Sequence, residues 1–147
     1  MYYPKLLTAT VTSLVICSAT IAVADANSAM SQIRNDHPNL LTVDRHGQIH
    51  KIIDKQLSTG RTPLASAENF IAAFSEALSV DAREFVERGP FEDQHSHQDF
   101  MYIPETGGHK FTGVYYMQTA DGLPVYGSRL MLLVRNIHGY PGVSATT

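Results

Sequence analysis

The chain has 147 residues, a formal net charge of −3 and a single cysteine, Cys17. This length suits one domain that can bury a modest core. The acidic balance and the lack of a basic run argue against nucleic acid as a partner. A single cysteine also excludes a disulfide bond within the chain.

Residues 1–24 have the order of a cleavable secretory signal peptide. Lys5 is the only charged side chain in this segment, residues 6–22 are uncharged, and a small-x-small exit ends at Ala24. Several threonines and serines dilute the apolar stretch, which makes it a weak membrane span. We therefore predict cleavage after Ala24, with a retained anchor as the alternative. The mature protein is then secreted or periplasmic, has no stable membrane association, and carries a charge of about −4 once Lys5 is lost.

Two segments lead up to the first clear helix. Residues 25–38 are polar and rich in small side chains, and we interpret them as a lead-in segment, partly helical over Ser28–Arg34. From Asn39 to Leu57, two apolar runs flank a turn that contains Gly47. This pattern is typical of a β-hairpin.

The main helix is predicted to begin at Pro63, with Thr62 as its capping residue. Apolar residues then recur at three- and four-residue steps, which is the period of one buried helical face. They are Leu64, Ala67, Phe70, Ile71, Phe74, Ala77 and Leu78. Asp81, with Glu84 three residues later, predicts a short second helix through Glu87.

The C-terminal half is typical of strands separated by turns, after a polar loop over Gly89–Gln98. The predicted strands are Phe100–Ile103, Phe111–Thr119, Leu123–Tyr126 and Ser128–Val134, with a further one starting at Val143. A helix followed by a run of strands predicts an α+β fold, with one main helix packed on an antiparallel sheet.

Motifs for catalysis are missing from the sequence, which contains no HExxH, Walker loop or GxSxG. We therefore predict a protein that is not an enzyme and needs no cofactor. The best metal candidates are His95 and His97, which alternate in an extended segment, with Asp93, Asp99 or His109 as a third ligand for zinc or copper. The favoured interpretation is a solvated polar loop without a metal.

In the segment from Val114 to Ser128, the order and spacing of the residues are more informative than the composition. An aromatic strand ends in Gln-Thr, a turn closes in Gly, and an apolar residue, Pro-Val, an aromatic residue and Gly follow. The matching residues are Gln118, Thr119, Gly122, Pro124, Val125, Tyr126 and Gly127. This segment resembles the fungalysin/thermolysin propeptide domain, and the Ala67–Leu78 helix is similar to the helix that precedes the motif in that family.

The resemblance implies a cystatin-like prodomain fold over residues 39–147. It also implies a function, because such domains assist the folding of a thermolysin-like zinc metalloprotease and hold it inactive. The partner is then a secreted zinc metalloprotease, in cis within a longer precursor truncated here at Thr147, or in trans for a free-standing protein. The alternatives are an exported cystatin-like protein that binds another target, and an exported protein that binds metal through its histidines.

Overall fold

A computed structural model describes residues 16–91 and 95–147, with side chains from Ala26 onward. Residues 1–15 of the predicted signal peptide and the ligand candidate Asp93 lie outside the described residues. The helices are α1, Ile16–Asp36, and α2, Pro63–Phe74. The strands are β1, Leu41–Arg45; β2, Gln48–Ser58; β3, Phe85–Glu87; β4, His97–Ile103; β5, Gly108–Ala120; β6, Leu123–Arg135; and β7, Gly142–Thr146.

The seven strands form one antiparallel sheet in the order β1-β2-β7-β6-β5-β3, and β4 also pairs with β5. The fold is therefore α+β, as the sequence predicts. Strand β7 lies between β2 and β6, so the last strand along the chain is central in the sheet. The described residues form two α-helices, so the expectation of one main helix is incomplete.

Helix α1 contributes more to the hydrophobic core than the predicted lead-in segment would. Met30 and Ile33 are each 8% exposed and belong to the same core cluster as the residues of α2. Both residues follow Ala24, so cleavage at the predicted position would leave them in the mature chain. Among the described residues, no helix is long and apolar enough to cross a membrane.

Helix α2 begins and packs as its sequence predicts. Thr62 has extended backbone angles, and its hydroxyl accepts a hydrogen bond from the Ala65 amide at 3.1 Å. Phe70 and Phe74 are fully buried, and their rings stack with centroids 4.4 Å apart. The helix ends at Phe74, and turns continue to Ser79.

The prediction of a short second helix through Glu87 is wrong beyond the first turn. Asp81 caps a 3-10 helix that covers only Ala82–Glu84, and Phe85 already belongs to β3. Strand β3 pairs with the end of β5, and Phe85 packs against the core. Cross-strand pairing of these residues outweighs the local helical tendency.

Candidate functional site

The predicted family-motif residues form the hairpin between β5 and β6. Asp121 and Gly122 have φ values of 52° and 79° at the turn, the left-handed pair that suits a two-residue hairpin connection. A methyl group at Gly122 would meet no atom within 4 Å, so the backbone conformation alone favours glycine there. Pro124 follows as the second residue of β6.

Gln118 and Thr119 tie this hairpin to the 3-10 turn. The Thr119 hydroxyl donates to the backbone carbonyl of Glu84 at 3.0 Å, and the Gln118 amide donates to the Glu84 carboxylate at 3.3 Å. The Gln-Thr pair thus holds the end of β5 against the segment that enters β3. These contacts give both residues a positioning role.

A bulge follows on β6, at the position of the last motif glycine. Met117 pairs with Arg129 and Thr119 pairs with Pro124, so four residues of β6 lie opposite Gln118 alone. Gly127 has a φ of 76°, a left-handed conformation that glycine adopts in one class of bulge, and the two predicted strands on either side of it are one continuous strand. The bulge leaves the Tyr126 side chain fully exposed, at 104% of its reference area.

The central strand β7 is shorter than both of its neighbours, and a gap in the sheet opens beyond its end. It pairs with β6 only from Met131 to Val134. Beyond it, Gln48–His50 of β2 and the bulged part of β6 face each other without a strand between them in the described structure. The amide of Thr147 donates to the carbonyl of His50 at 2.9 Å, which continues the ladder to the mouth of this gap.

The gap belongs to a cleft of about 1140 Å³, which we name the β2–β6 slot. Helix α1 and the turn after α2 line it together with the β1–β2 turn and the bulge. Three arginines line it: Arg34 from α1, Arg45 from β1 and Arg129 from β6, against the single acid Asp44. In a chain of net charge −3, this is a local excess of positive charge.

The three arginines that line the slot are exposed. Arg34 donates a long hydrogen bond of 3.5 Å to Thr42, and within the described part of the chain none of the three forms an ion pair with an acid. These arginines are far apart along the chain and share no motif, so no local sequence pattern indicates that they line one cleft. Of the motif residues, Gln118, Tyr126 and Gly127 also line the slot.

The metal candidates lie on or beside β4, at the edge of the sheet where β3 and β4 pair with β5. His95 is exposed and precedes β4, whereas His97 begins the strand with its Nδ1 3.6 Å from Oε1 of Glu87. Nδ1 of His109 lies 3.7 Å from Oδ2 of Asp99, as a separate pair. The described residues contain no group of three histidine, cysteine or acidic side chains that could hold a metal ion.

Ser96, His97 and Glu87 have the residue types of a hydrolytic triad but a different geometry. The Ser96 hydroxyl donates to Glu87 and lies 3.0 Å from Nδ1 of His97, the same nitrogen that faces Glu87. In a triad the two ring nitrogens contact different partners, with the histidine between serine and acid. These three residues therefore do not form a proton relay.

A fourth histidine supports the structure rather than a site. Nδ1 of His37 lies 2.8 Å from Oδ2 of Asp54, and its ring is 5.8 Å from that of Phe74. This pair joins the end of α1 to β2 and to the aromatic stack of α2.

Comparison of the chain with models of known protein families, with curated proteins and with solved structures finds no match. The similarity of Val114–Ser128 to the propeptide domain remains a prediction from sequence. The functional assignment therefore depends on that segment and on the geometry around it.

Proposed function

We propose that the chain is an exported, non-catalytic module that assists the folding of a thermolysin-like zinc metalloprotease and inhibits it. The observation that carries the proposal is the spaced segment from Gln118 to Gly127. Its residues have distinct structural tasks: a tie to the 3-10 turn, a tight hairpin and a bulge that presents Tyr126. These residues match the motif of the propeptide domain and each has a separate structural role. Such a match supports an architecture shared with that domain more strongly than composition does.

The wider expectations fit the same proposal. The signal peptide at 1–24 takes the protein to the periplasm or the medium, where such proteases act. The protease is encoded in cis, within a longer precursor, or acts in trans. A cystatin-like arrangement is our interpretation of the sheet and α2.

Strand pairing is the contact mode we propose for this partner. Main-chain hydrogen bonds at an open strand edge give affinity with little demand on sequence. The exposed Tyr126 adds an aromatic anchor of the kind enriched at protein interfaces.

A refolding assay tests the proposal. Residues 25–147 are added to a chemically denatured thermolysin-like protease lacking its own prodomain, and recovered peptidase activity is measured over time. We expect a higher yield of folded protease and a delay in the appearance of activity that lasts until the module is digested. Unchanged recovery, together with unchanged activity of the native protease at micromolar module, would refute the proposal.

Two exposed tyrosines provide a matched pair of variants. Tyr126→Ala removes the aromatic ring at the bulge, whereas Tyr102→Ala removes one on β4, where the side chain is 60% exposed. We expect the first to weaken the effect on the protease and the second to leave it unchanged. Equal effects of both variants would remove Tyr126 from the interface.

A further inference from the structure

The sheet has two faces, and both described helices contribute their buried side chains to the same one. Ile52, Val114 and Leu132 lie on this face, in the core cluster with Phe70 of α2. Successive side chains of a strand point to opposite faces, so the strand register assigns the intervening residues to the other side, which we name the open face. Its large apolar residues are Leu41, Val43, Ile53, Val86, Phe100, Tyr102, Phe111, Tyr115, Met117, Met131 and Leu133.

This composition is unusual for a sheet face that lies in water. An antiparallel sheet with one solvated face alternates apolar and polar residues, whereas strands covered on both faces have continuous apolar runs. Residues 130–134 of β6 and residues 114–117 of β5 are such runs. On the open face Leu41, Val86 and Tyr102 are 63%, 48% and 60% exposed. A contiguous apolar surface of this kind is typical of an interaction site.

Aromatic rings cover the backbone in the middle of the open face. A β-carbon at Gly113 would lie 2.8 Å from Cε2 of Phe100 and 3.4 Å from Cε2 of Tyr115, so both rings lie over this glycine. The Tyr115 hydroxyl donates to the side-chain oxygen of Gln98 at 3.0 Å, which fixes the direction of its ring. Glycine thus allows the rings to lie close to the sheet, which suits a broad and shallow contact.

Cationic side chains flank this apolar surface. Nζ of Lys110 and Cζ of Arg135 lie 5.5 Å and 6.0 Å from the centroid of the Phe111 ring. Lys51 lies on the open face beside Val43. None of the three cations forms an ion pair with an acid of the described residues, and the register places no aspartate or glutamate of the described strands on this face.

Charge determines which occupant the open face favours. A second copy of this chain would bring the same cations to the interface and, by the register of the described strands, no carboxylate to pair with them. Burying unpaired charges is strongly unfavourable. A partner whose surface carries carboxylates removes this cost. The face is about 24 Å wide, because five strand spacings of about 4.8 Å separate β1 from β4, and this is the scale of a specific protein interface.

We infer that the open face docks a partner protein whose surface presents apolar side chains flanked by carboxylates, which pair with Lys51, Lys110 and Arg135. The identification of this partner as a metalloprotease rests on the proposed function. The docking chemistry depends only on the open face, and it is separate from strand pairing at a sheet edge.

Fluorescence polarisation tests this inference on residues 25–147 with a probe of the stated chemistry. The probe is a fluorescein-labelled amphipathic helix of about 20 residues, long enough to be helical alone, with leucine on one face and glutamate on both flanks. The same helix with lysine flanks is the charge control. We expect saturable binding of the glutamate helix that weakens with added salt, and at least tenfold weaker binding of the lysine helix. Equal affinities would overturn the assignment.

A substitution in the apolar centre locates the site. Leu133→Lys places a charge in the middle of the open face, and we expect it to weaken binding of the glutamate helix at least tenfold. Leu123→Lys is the matched control, because Leu123 is 71% exposed at the other end of β6. Urea midpoints of both variants check that each one folds. Unchanged affinity of Leu133→Lys, or an equal loss in Leu123→Lys, contradicts the inference.

The cations require a second pair of variants. Lys110→Gln/Arg135→Gln should weaken binding by about tenfold, the sum expected for two partly exposed ion pairs, and should reduce the dependence on salt. Arg61→Gln is the control, because Arg61 is exposed in the loop before α2. Equal affinities of the double variant and the wild type would refute the charge pairing.

Two other occupants have their own measurements. Sedimentation of the free protein should show a monomer, and dimers abolished by Leu133→Lys would overturn the partner assignment in favour of a second copy. Vesicles of phosphatidylglycerol should leave the protein in solution. Binding to these vesicles that Leu133→Lys abolishes would instead assign the open face to an anionic membrane.

The helix-binding assay and the refolding assay fail independently. A module that binds the glutamate helix but has no effect on the protease retains the docking surface and loses the proposed function. A module that refolds the protease but ignores the helix retains the function and loses the docking surface.

Discussion

Replacing Gly60 by alanine should destabilise the fold through one identifiable clash. A β-carbon at this position would lie 2.3 Å from the Ser66 amide nitrogen and 2.7 Å from the Ala65 carbonyl carbon. These are backbone atoms of the first turn of α2, so relief requires the helix to move by about 1 Å relative to the loop. Overpacking of this kind costs roughly 1–3 kcal/mol.

That cost is a large share of the total for a domain of this size, whose free energy of unfolding is roughly 5–15 kcal/mol. Urea unfolding followed by circular dichroism should show the midpoint of Gly60→Ala lowered by about 1 M. Gly108→Ala is the control, because its β-carbon would meet only the Thr106 hydroxyl at an ordinary 3.6 Å. Equal midpoints for Gly60→Ala and the wild type would show that α2 does not start against this loop.

Three further predictions concern the core residue Ile33, the Asp81–Arg83 ion pair and the buried Tyr116 hydroxyl. Ile33→Ala in residues 25–147 should lower the free energy of unfolding by about 3 kcal/mol, whereas exposed Asn35→Ala should change it by less than about 0.5 kcal/mol; equal values would place α1 outside the core. Side-chain hydrogen bonds from Arg83, followed by a hydrogen bond from the Arg83 backbone amide, hold the pKa of Asp81 at about 2. NMR titration of Arg83→Ala should therefore show a higher Asp81 pKa that stays below 3.8, because the backbone amide remains. The stabilising effect of this pair is full above about pH 4 and is lost as the pH falls through 2. The buried Tyr116 hydroxyl has no hydrogen-bond partner among the described residues, so Tyr116→Phe should raise the free energy of unfolding by about 1 kcal/mol in urea titrations. A loss of stability in this variant would mean that the hydroxyl is satisfied.

Local patterns predicted the local elements well. The cap at Thr62, the apolar period of α2 and the Asp-Gly turn at Gly122 depend on neighbours in sequence, and each has its expected conformation. The bulge at Gly127 was also foreseeable, because glycine within a strand tolerates the left-handed backbone of such a site.

Long-range pairing was not predictable from the same patterns. Residues 85–87 form a strand directly after the 3-10 turn because they pair with β5. The position of β7 between β2 and β6 joins residues about 90 apart along the chain, which no local period reports. The slot results from this topology, so the sequence patterns could not predict that its arginines line one cleft.

The buried part of α1 has a similar origin. Its segment is polar in composition, and among the side chains described from Ala26 onward Met30 and Ile33 are buried in the core, with partly buried Ala29 packed against it. Two apolar residues three positions apart give a weak periodic signal. Met30 and Ile33 become part of the core because α1 packs against α2.

An inhibition titration of a native thermolysin-like protease with purified residues 25–147 tests the central claim most directly. A fluorogenic peptide substrate reports residual activity, and light scattering on the same mixture reports the mass of the complex. We expect saturable inhibition at micromolar module, with a complex of one module and one protease that remains intact in gel filtration. Full activity and two separate species at every concentration would contradict it.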